Sequence, residues 1–105
     1  MSSDRPARDI LQLRLYIAGA APNSVRAHAN VRAMLDELLP GRYELEIVDV
    51  LENPARALVD AVFVTPTLIK LGRPPVRIVG DLSDRVELWQ ALELDAYREP
   101  SPNEE

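Results

Sequence analysis

The chain contains no cysteine. That removes disulfide cross-links, thiolate nucleophiles, cysteine-held zinc and iron–sulfur clusters together. Histidine is almost as scarce. His28 is the only one, it sits on a helix flank without ligand-spaced neighbours, and a packing or surface role outweighs base or metal chemistry, which needs several converging groups. The acidic residues Asp49, Glu52, Asp60, Asp81 and Asp84 lack metal-loop spacing and read as solvated charge. Positive charge is the minority sign: 12 Lys and Arg stand against 17 Asp and Glu, a net charge of −5. A general nucleic-acid or anionic-membrane binder needs a basic surface, so both partners are disfavoured, although Arg73 and Arg77 lie close together in sequence. Glycine is rare, with four residues, and Gly19 and Gly80 form neither G-x-G-x-x-G nor a Gly-Lys-Ser/Thr phosphate loop. Ser24 has no nucleophile-elbow context. No apolar run approaches membrane-spanning length, and the start M-S-S-D-R-P-A-R-D carries no apolar signal core, so a soluble cytoplasmic protein without a cofactor is expected.

What remains is an aliphatic chain of 105 residues, enough for one domain and one core. Its aromatics are Tyr16, Tyr43, Phe63, Trp89 and Tyr97. Residues 1–9 read as a flexible start and 98–105 as a disordered acidic tail, leaving a domain over 10–97. In I-L-Q-L-R-L-Y-I-A-G, Leu11, Leu13, Leu15 and Ile17 face one way and Gln12, Arg14 and Tyr16 the other, a half-buried strand ended by Gly19. After a turn at 20–22, Asn23 or Ser24 is placed to cap a helix whose Ala27, Val31, Met34, Leu35 and Leu38 form one apolar stripe. Pro40-Gly41 stops it. The run Tyr43 to Val50 is a second strand, apolar on both faces at Ile47-Val48 as expected of an inner strand, and parallel to the first through a right-handed crossover. Asn53-Pro54 opens a short helix from Ala55 to about Asp60.

Next, V-F-V-T-P-T-L-I-K-L is rich in strand formers but contains Pro66, which cannot donate within a ladder and is expected to follow a cis peptide bond. Gly72-Arg73-Pro74-Pro75 is a loop, Val76 to Val79 a further strand, and the pair an antiparallel hairpin, since the connection is too short for a crossover. The Thr65-Pro66-Thr67 step can offer a backbone edge to an extended peptide, or be a structural turn only. From Ser83 the pattern is ambivalent. Ser83 with Asp84 suits a helix cap, and Val86, Trp89, Leu92 and Ala96 share a helical face. Val86, Leu88, Leu92 and Leu94 also alternate with acidic residues at strand spacing, so the period leaves both open while local propensity favours helix.

The resulting order, βαβαββα with a proline before the third strand, is a thioredoxin-like α/β arrangement. Redox members of that fold carry Cys-x-x-Cys between the first strand and helix. Here the position reads Ala20-Ala21-Pro22-Asn23, which excludes thiol–disulfide exchange.

Taken together and in order, L-Y-I-A-G, P-N-S-V-R-A, V-D-V-L-E-N-P, T-P-T-L-I-K, P-P-V-R and I-V-G-D-L-S-D-R resemble the KaiB family of circadian clock proteins from about Leu11 to Leu94. The resemblance implies a non-enzymatic protein that binds the KaiC ATPase ring and antagonises its phosphorylation. It also implies fold switching between a thioredoxin-like monomer that binds and a homotetrameric ground state, βαββααβ, whose C-terminal half ends in a strand. Val86 to Leu94, ambivalent on its own pattern, is where such a change would act. By the same resemblance, Gly80-Asp81 influences the balance of folds, Lys70 and Arg77 face acidic groups on the ring, and Asn23 and Arg26 belong to a family motif with a partner-binding role. The chain departs from the family in having only Arg77 after P-P-V, and in carrying Asp60-Ala61-Val62-Phe63-Val64 where charge with a lysine is common. The extra apolar residues are expected to support the third strand. The resemblance also admits a KaiA-like protein or a histidine kinase as a further partner. The alternative function is a stand-alone thioredoxin-like binding module related to the sensor domain of a clock-output histidine kinase. A thiol-free transferase is a third reading, with no catalytic constellation to support it.

Overall fold

The structure is a computed structural model that describes residues 10–97; the flexible start and acidic tail expected at 1–9 and 98–105 lie outside the described residues. Alternation in the first run produces β1 (Leu11–Ile17), which pairs on both sides. On one side it runs parallel to β2 (Tyr43–Asp49), with Leu15 opposite Ile47. On the other it runs antiparallel to β3 (Thr67–Lys70), with Leu15 opposite Leu68. β3 then pairs antiparallel with β4 (Val76–Val79), giving the sheet order β2-β1-β3-β4. The parallel pair and the hairpin follow the sequence expectation. The inner-strand reading of β2 does not: β2 is an edge strand. Ile47 and Val48 are apolar on opposite faces because both faces of the sheet carry helices, which says nothing about pairing along the sheet.

Helix α1 (Pro22–Leu38) and helix α3 (Arg85–Leu92) enclose the larger core. Leu11, Leu13, Leu15, Val31, Leu35, Leu68, Ile78, Leu88, Leu92 and Leu94 meet there. On the second face, α2 (Pro54–Val59) covers a smaller cluster of Tyr16, Val48, Ala57, Val62 and Ile69. The face of β1 expected to be polar is therefore covered at its C-terminal end, where Tyr16 is fully buried, while Gln12 stays exposed. A tyrosine can be packed there because its hydroxyl finds polar partners, described below.

Local chemistry sets the helix ends differently from the expectation in two places. α1 starts at Pro22 with Ala21 at the N-cap position and no side-chain cap. Ser24 instead lies inside the helix, buried, and accepts a hydrogen bond from the Ala18 N–H at 3.1 Å. Asn53 holds the N-cap position of α2, but without a capping bond from its side chain. β3 begins only after Pro66, so Val62, Phe63 and Val64 lie outside it and do not extend the third strand.

The ambivalent C-terminal segment is a helix followed by a 3-10 turn (Leu94–Ala96), so the alternative ending in a strand is not the arrangement observed. Asp84 is the cap, its carboxylate accepting from the Glu87 N–H at 3.0 Å. Leu88 and Leu92, one turn apart, form the buried face, whereas Val86 is exposed. The helix ends at Glu93 with φ +55°, a left-handed cap without glycine. Removing the N-cap in Asp84→Ala is expected to cost about 1 kcal/mol, readable as a lower urea midpoint with an unchanged slope.

Candidate partner-binding surface

The strand registers collect several connections at one end of the sheet. Tyr16 lies opposite Thr67, Thr67 opposite Val79, and Ile17 opposite Asp49. The chain leaving β1 and β2, the chain entering β3 and the chain leaving β4 therefore all emerge together. This end gathers Gly19 to Asn23, Val50 to Asn53, Val62 to Pro66, and Gly80-Asp81.

Side-chain bonds brace it. Asp49 Oδ1 accepts from the Gly19 N–H at 3.1 Å and the Leu51 N–H at 2.9 Å. Gly19 has φ +54°, which favours glycine; a Cβ there would also come 3.2 Å from Leu51 Cδ1, a tight contact that the exposed leucine can relieve by a small shift. The Thr65–Pro66 peptide is cis, as is Arg73–Pro74, which the sequence marked only as loop. Thr67 Oγ1 donates to the Val64 carbonyl at 2.6 Å, and the Gly80 N–H to the Pro66 carbonyl at 3.1 Å.

Residues distant in sequence meet here. Arg26 hydrogen-bonds Asn23 and reaches Asp81 Oδ2 at 3.8 Å. Asp81 Oδ1 accepts from the Ser83 N–H at 3.1 Å; the Ser83 hydroxyl first, and this backbone bond second, hold its carboxyl below the usual range. Asn30 donates its side-chain amide to the Asp81 carbonyl at 2.8 Å. Asn23 and Arg26 thus join Gly80 and Asp81 in one cluster. Asn30 was not singled out by sequence reasoning; its only signal was a polar residue beside the apolar stripe of α1.

Lys70 and Arg77 do not join it. Leu68 and Lys70 alternate with Ile69, and Arg77 pairs with Ile69, so the two basic residues project from opposite faces of the sheet. Lys70 donates to the Leu92 carbonyl at 3.0 Å, with its ammonium 5.2 Å from the Tyr97 ring centroid; it closes the C-terminal end of α3. Arg77 donates to the Ala61 carbonyl at 3.1 Å and also to the Asp60 carbonyl.

The exposed part of this end is apolar. Phe63 is 85 % exposed, and Val64 and Leu51 are also open to solvent. Sequence reasoning counted Phe63 and Val64 as apolar support for the third strand; β3 begins after them and both are exposed. Among the described residues no group of three or more His, Cys, Asp or Glu is placed to hold a metal, and no described helix is long and apolar enough to cross a membrane. Exposed apolar side chains on a braced backbone suit protein recognition.

Behind this end, on the α2 face, lies a charged network. Tyr16 donates to Asp60 Oδ2 at 2.5 Å and Arg14 to the same oxygen at 2.9 Å. Arg14 also pairs with Glu46 at 2.9 Å, and Arg56 grips both Glu46 oxygens at 2.5 and 3.0 Å. Arg56 first and Arg14 second hold the Glu46 carboxyl down at about 2, from an ordinary 4.5. The Tyr16 hydroxyl, then Arg14, lowers that of Asp60. A carboxylate depressed in the folded state contributes stability that is complete above its unfolded value and lost as pH falls through the folded one. Stability is therefore expected to fall between about pH 4.5 and 2. The Glu46 side chain is 46 % exposed, so solvent screening reduces its share to about 1 kcal/mol. Urea midpoints at pH 6 and pH 3 measure the loss, and Glu46→Gln is expected to shrink it.

Residues 14–94 match the KaiB domain family. The Circadian clock oscillator protein KaiB of Trichodesmium erythraeum is 44% identical over 100 residues, covering 94% of this chain and 95% of that one. The protein of the same name from Microcystis aeruginosa is 49% identical over 83 residues, covering 78% and 80%. Among solved structures, the N-terminal domain of Synechococcus elongatus SasA aligns with TM-score 0.67 at 24% identity, over 89% of this chain and 92% of that one. Fasciola hepatica thioredoxin aligns at 0.66 and 21% identity, over 83% and 82%. The two structural likenesses establish a thioredoxin-like fold.

Proposed function

The chain belongs to the KaiB family of circadian clock proteins, and from that premise we propose that it is a cytoplasmic, non-enzymatic clock regulator that binds a KaiC-type ATPase ring in its thioredoxin-like form. Binding antagonises the ring's phosphorylation. The bound form is a monomer, in exchange with a tetrameric ground state whose C-terminal half ends in a strand. What carries the reading is the family match across residues 14–94, which takes in both the β1-α1-β2 half and the segment that would rearrange. Absence of cysteine removes the thiol chemistry of the wider fold, which leaves recognition as the use of the end where the active thiols would otherwise sit.

The partner meets that end. Phe63 and Val64 supply apolar contact, and Asn23 and Arg26 the polar rim. Lys70 and Arg77 are held within the chain, and their charge contributes by steering association rather than by central contact. Gly80, at φ +122°, and Asp81 bias the balance of folds. An alanine at 80 is strained by the backbone of the thioredoxin-like form, although its Cβ would meet nothing within 4 Å.

Co-elution with a KaiC-type hexamer under ATP tests the function. A stable complex after slow incubation is expected. No complex at high micromolar concentration overturns the reading, and capture of a histidine kinase instead favours the stand-alone module. Chemical shifts across 85–92 report the fold: helical values in the bound chain are expected, and strand values there overturn the assignment of the binding form.

A further inference from the structure

The connection between α2 and β3 is held in a conformation that its own sequence does not favour. Ala61 has φ +56°, a region costly for any residue with a Cβ. Such a turn persists when its surroundings over-determine it, and here two strands of the sheet act directly on it. From β1, Tyr16 and Arg14 both bond the Asp60 carboxylate. From β4, Arg77 bonds the carbonyls of Asp60 and Ala61. β2 contributes one step removed, since Glu46 holds both Arg14 and Arg56. The one Tyr16 hydroxyl proton, directed mainly to Asp60 Oδ2, is shared with the Arg56 carbonyl at 3.0 Å, inside the last turn of α2. Immediately after this turn Val62 is buried in the second core, and the chain then rises to the exposed Phe63 and Val64.

We propose that Asp60 is the centre of a latch, closed by Tyr16, Arg14 and Arg77, that sets the position of the Phe63–Val64 loop, so that partner affinity depends on side chains the partner does not touch. Arg77 is thereby a positioning residue, acting through the two carbonyls. The affinity half of the proposal rests on the reading of this end as the partner face; the structural half stands on the geometry alone. The Tyr16 hydroxyl is the strongest of the contacts, because it is sequestered from water and its acceptor is ionised.

Three amides report on the latch in the free chain: Asp60 N–H to the Arg56 carbonyl at 3.0 Å, Ala61 N–H to Leu58 at 3.1 Å, and Val62 N–H to Ala57 at 2.8 Å. In Tyr16→Phe, Asp60→Asn and Arg77→Ala, hydrogen exchange at these amides is expected to speed up about tenfold, the scale of one charge-assisted hydrogen bond, while the amides of Val31 and Leu35 in α1 keep their rates. Affinity for a KaiC-type ring is expected to fall by a similar factor. The control Glu37→Gln, which removes only the exposed pair with Arg85, is expected to change neither. Unchanged exchange at residues 60–62, or an equal rise throughout α1, overturns the latch. Local opening with unaltered ring affinity overturns its coupling to the partner. Should the unmodified chain bind no ring, the functional reading fails, and the exchange pattern still decides the latch.

Discussion

Truncation of Leu15 to alanine is expected to lower the free energy of unfolding by about 3 kcal/mol, the middle of the range for a buried leucine replaced without room to collapse. Leu15 is fully buried at the middle of β1, the strand that pairs on both sides, opposite Ile47 and Leu68. Partners on both flanks and the layer above hold its surroundings in place, so the cavity stays open. For a domain of this size that loss corresponds to a fall of about 15 °C in Tm. Leu58→Ala, at a site 75 % exposed on α2, is expected to change stability by less than about 0.5 kcal/mol. Calorimetry on the two variants separates the cases, and equal effects would contradict the burial pattern. The position of Leu15 matters in a second way. It lies in the β1-α1-β2 half, so under the proposed fold exchange it destabilises both forms. Leu88 is buried in α3, in the half that would rearrange, so Leu88→Ala is expected to shift the balance of forms as well as lower the stability of this one.

Phe63→Glu is expected to weaken binding to a KaiC-type ring at least about 30-fold while leaving Tm within a degree or two. An aromatic anchor that becomes desolvated at an interface is worth about 2 kcal/mol or more, and a carboxylate in its place adds a burial penalty. At 85 % exposure the ring contributes little to the isolated fold. Isothermal titration gives the affinity and a melting curve the stability. Equal affinity for the variant would remove residues 62–66 from the partner face; a large fall in Tm would show that Phe63 is packed rather than displayed.

Phe63 also shows where sequence reading stops. Val62-Phe63-Val64 and Thr67-Leu68-Ile69 are equally good strand formers, and although Pro66 marks a break between them, propensity does not say that the first run is left out of the sheet. The sheet decides that: β3 pairs with Tyr16 and Val79 in a register that begins at Thr67. Tyr16 was misjudged for a related reason. Its alternation with Leu15 and Ile17 is what a half-buried strand shows, but α2 covers that face and Asp60 supplies the hydroxyl's acceptor from 44 residues away. The cap of α3, by contrast, was legible, because Asp84 and the Glu87 N–H are three residues apart and the interaction is local.

Lys70 and Arg77 mark the same boundary from the side of function. A hairpin of known register places them on opposite faces, but the residues that engage them, Leu92, Asp60 and Ala61, come from other elements. Asn23, Arg26 and Asp81 converge for the opposite reason: the chain leaving β1 and the chain leaving β4 emerge at the same end of the sheet.

By itself the sequence determined what is set by composition and by neighbours along the chain. It determined the absence of thiol chemistry, the aliphatic core, the order of elements and the family, because these depend on residue identity, period and short-range capping. The tertiary structure decided which apolar residues are displayed and which charges are already engaged. Those properties arise from contacts between segments tens of residues apart, and no local pattern carries them.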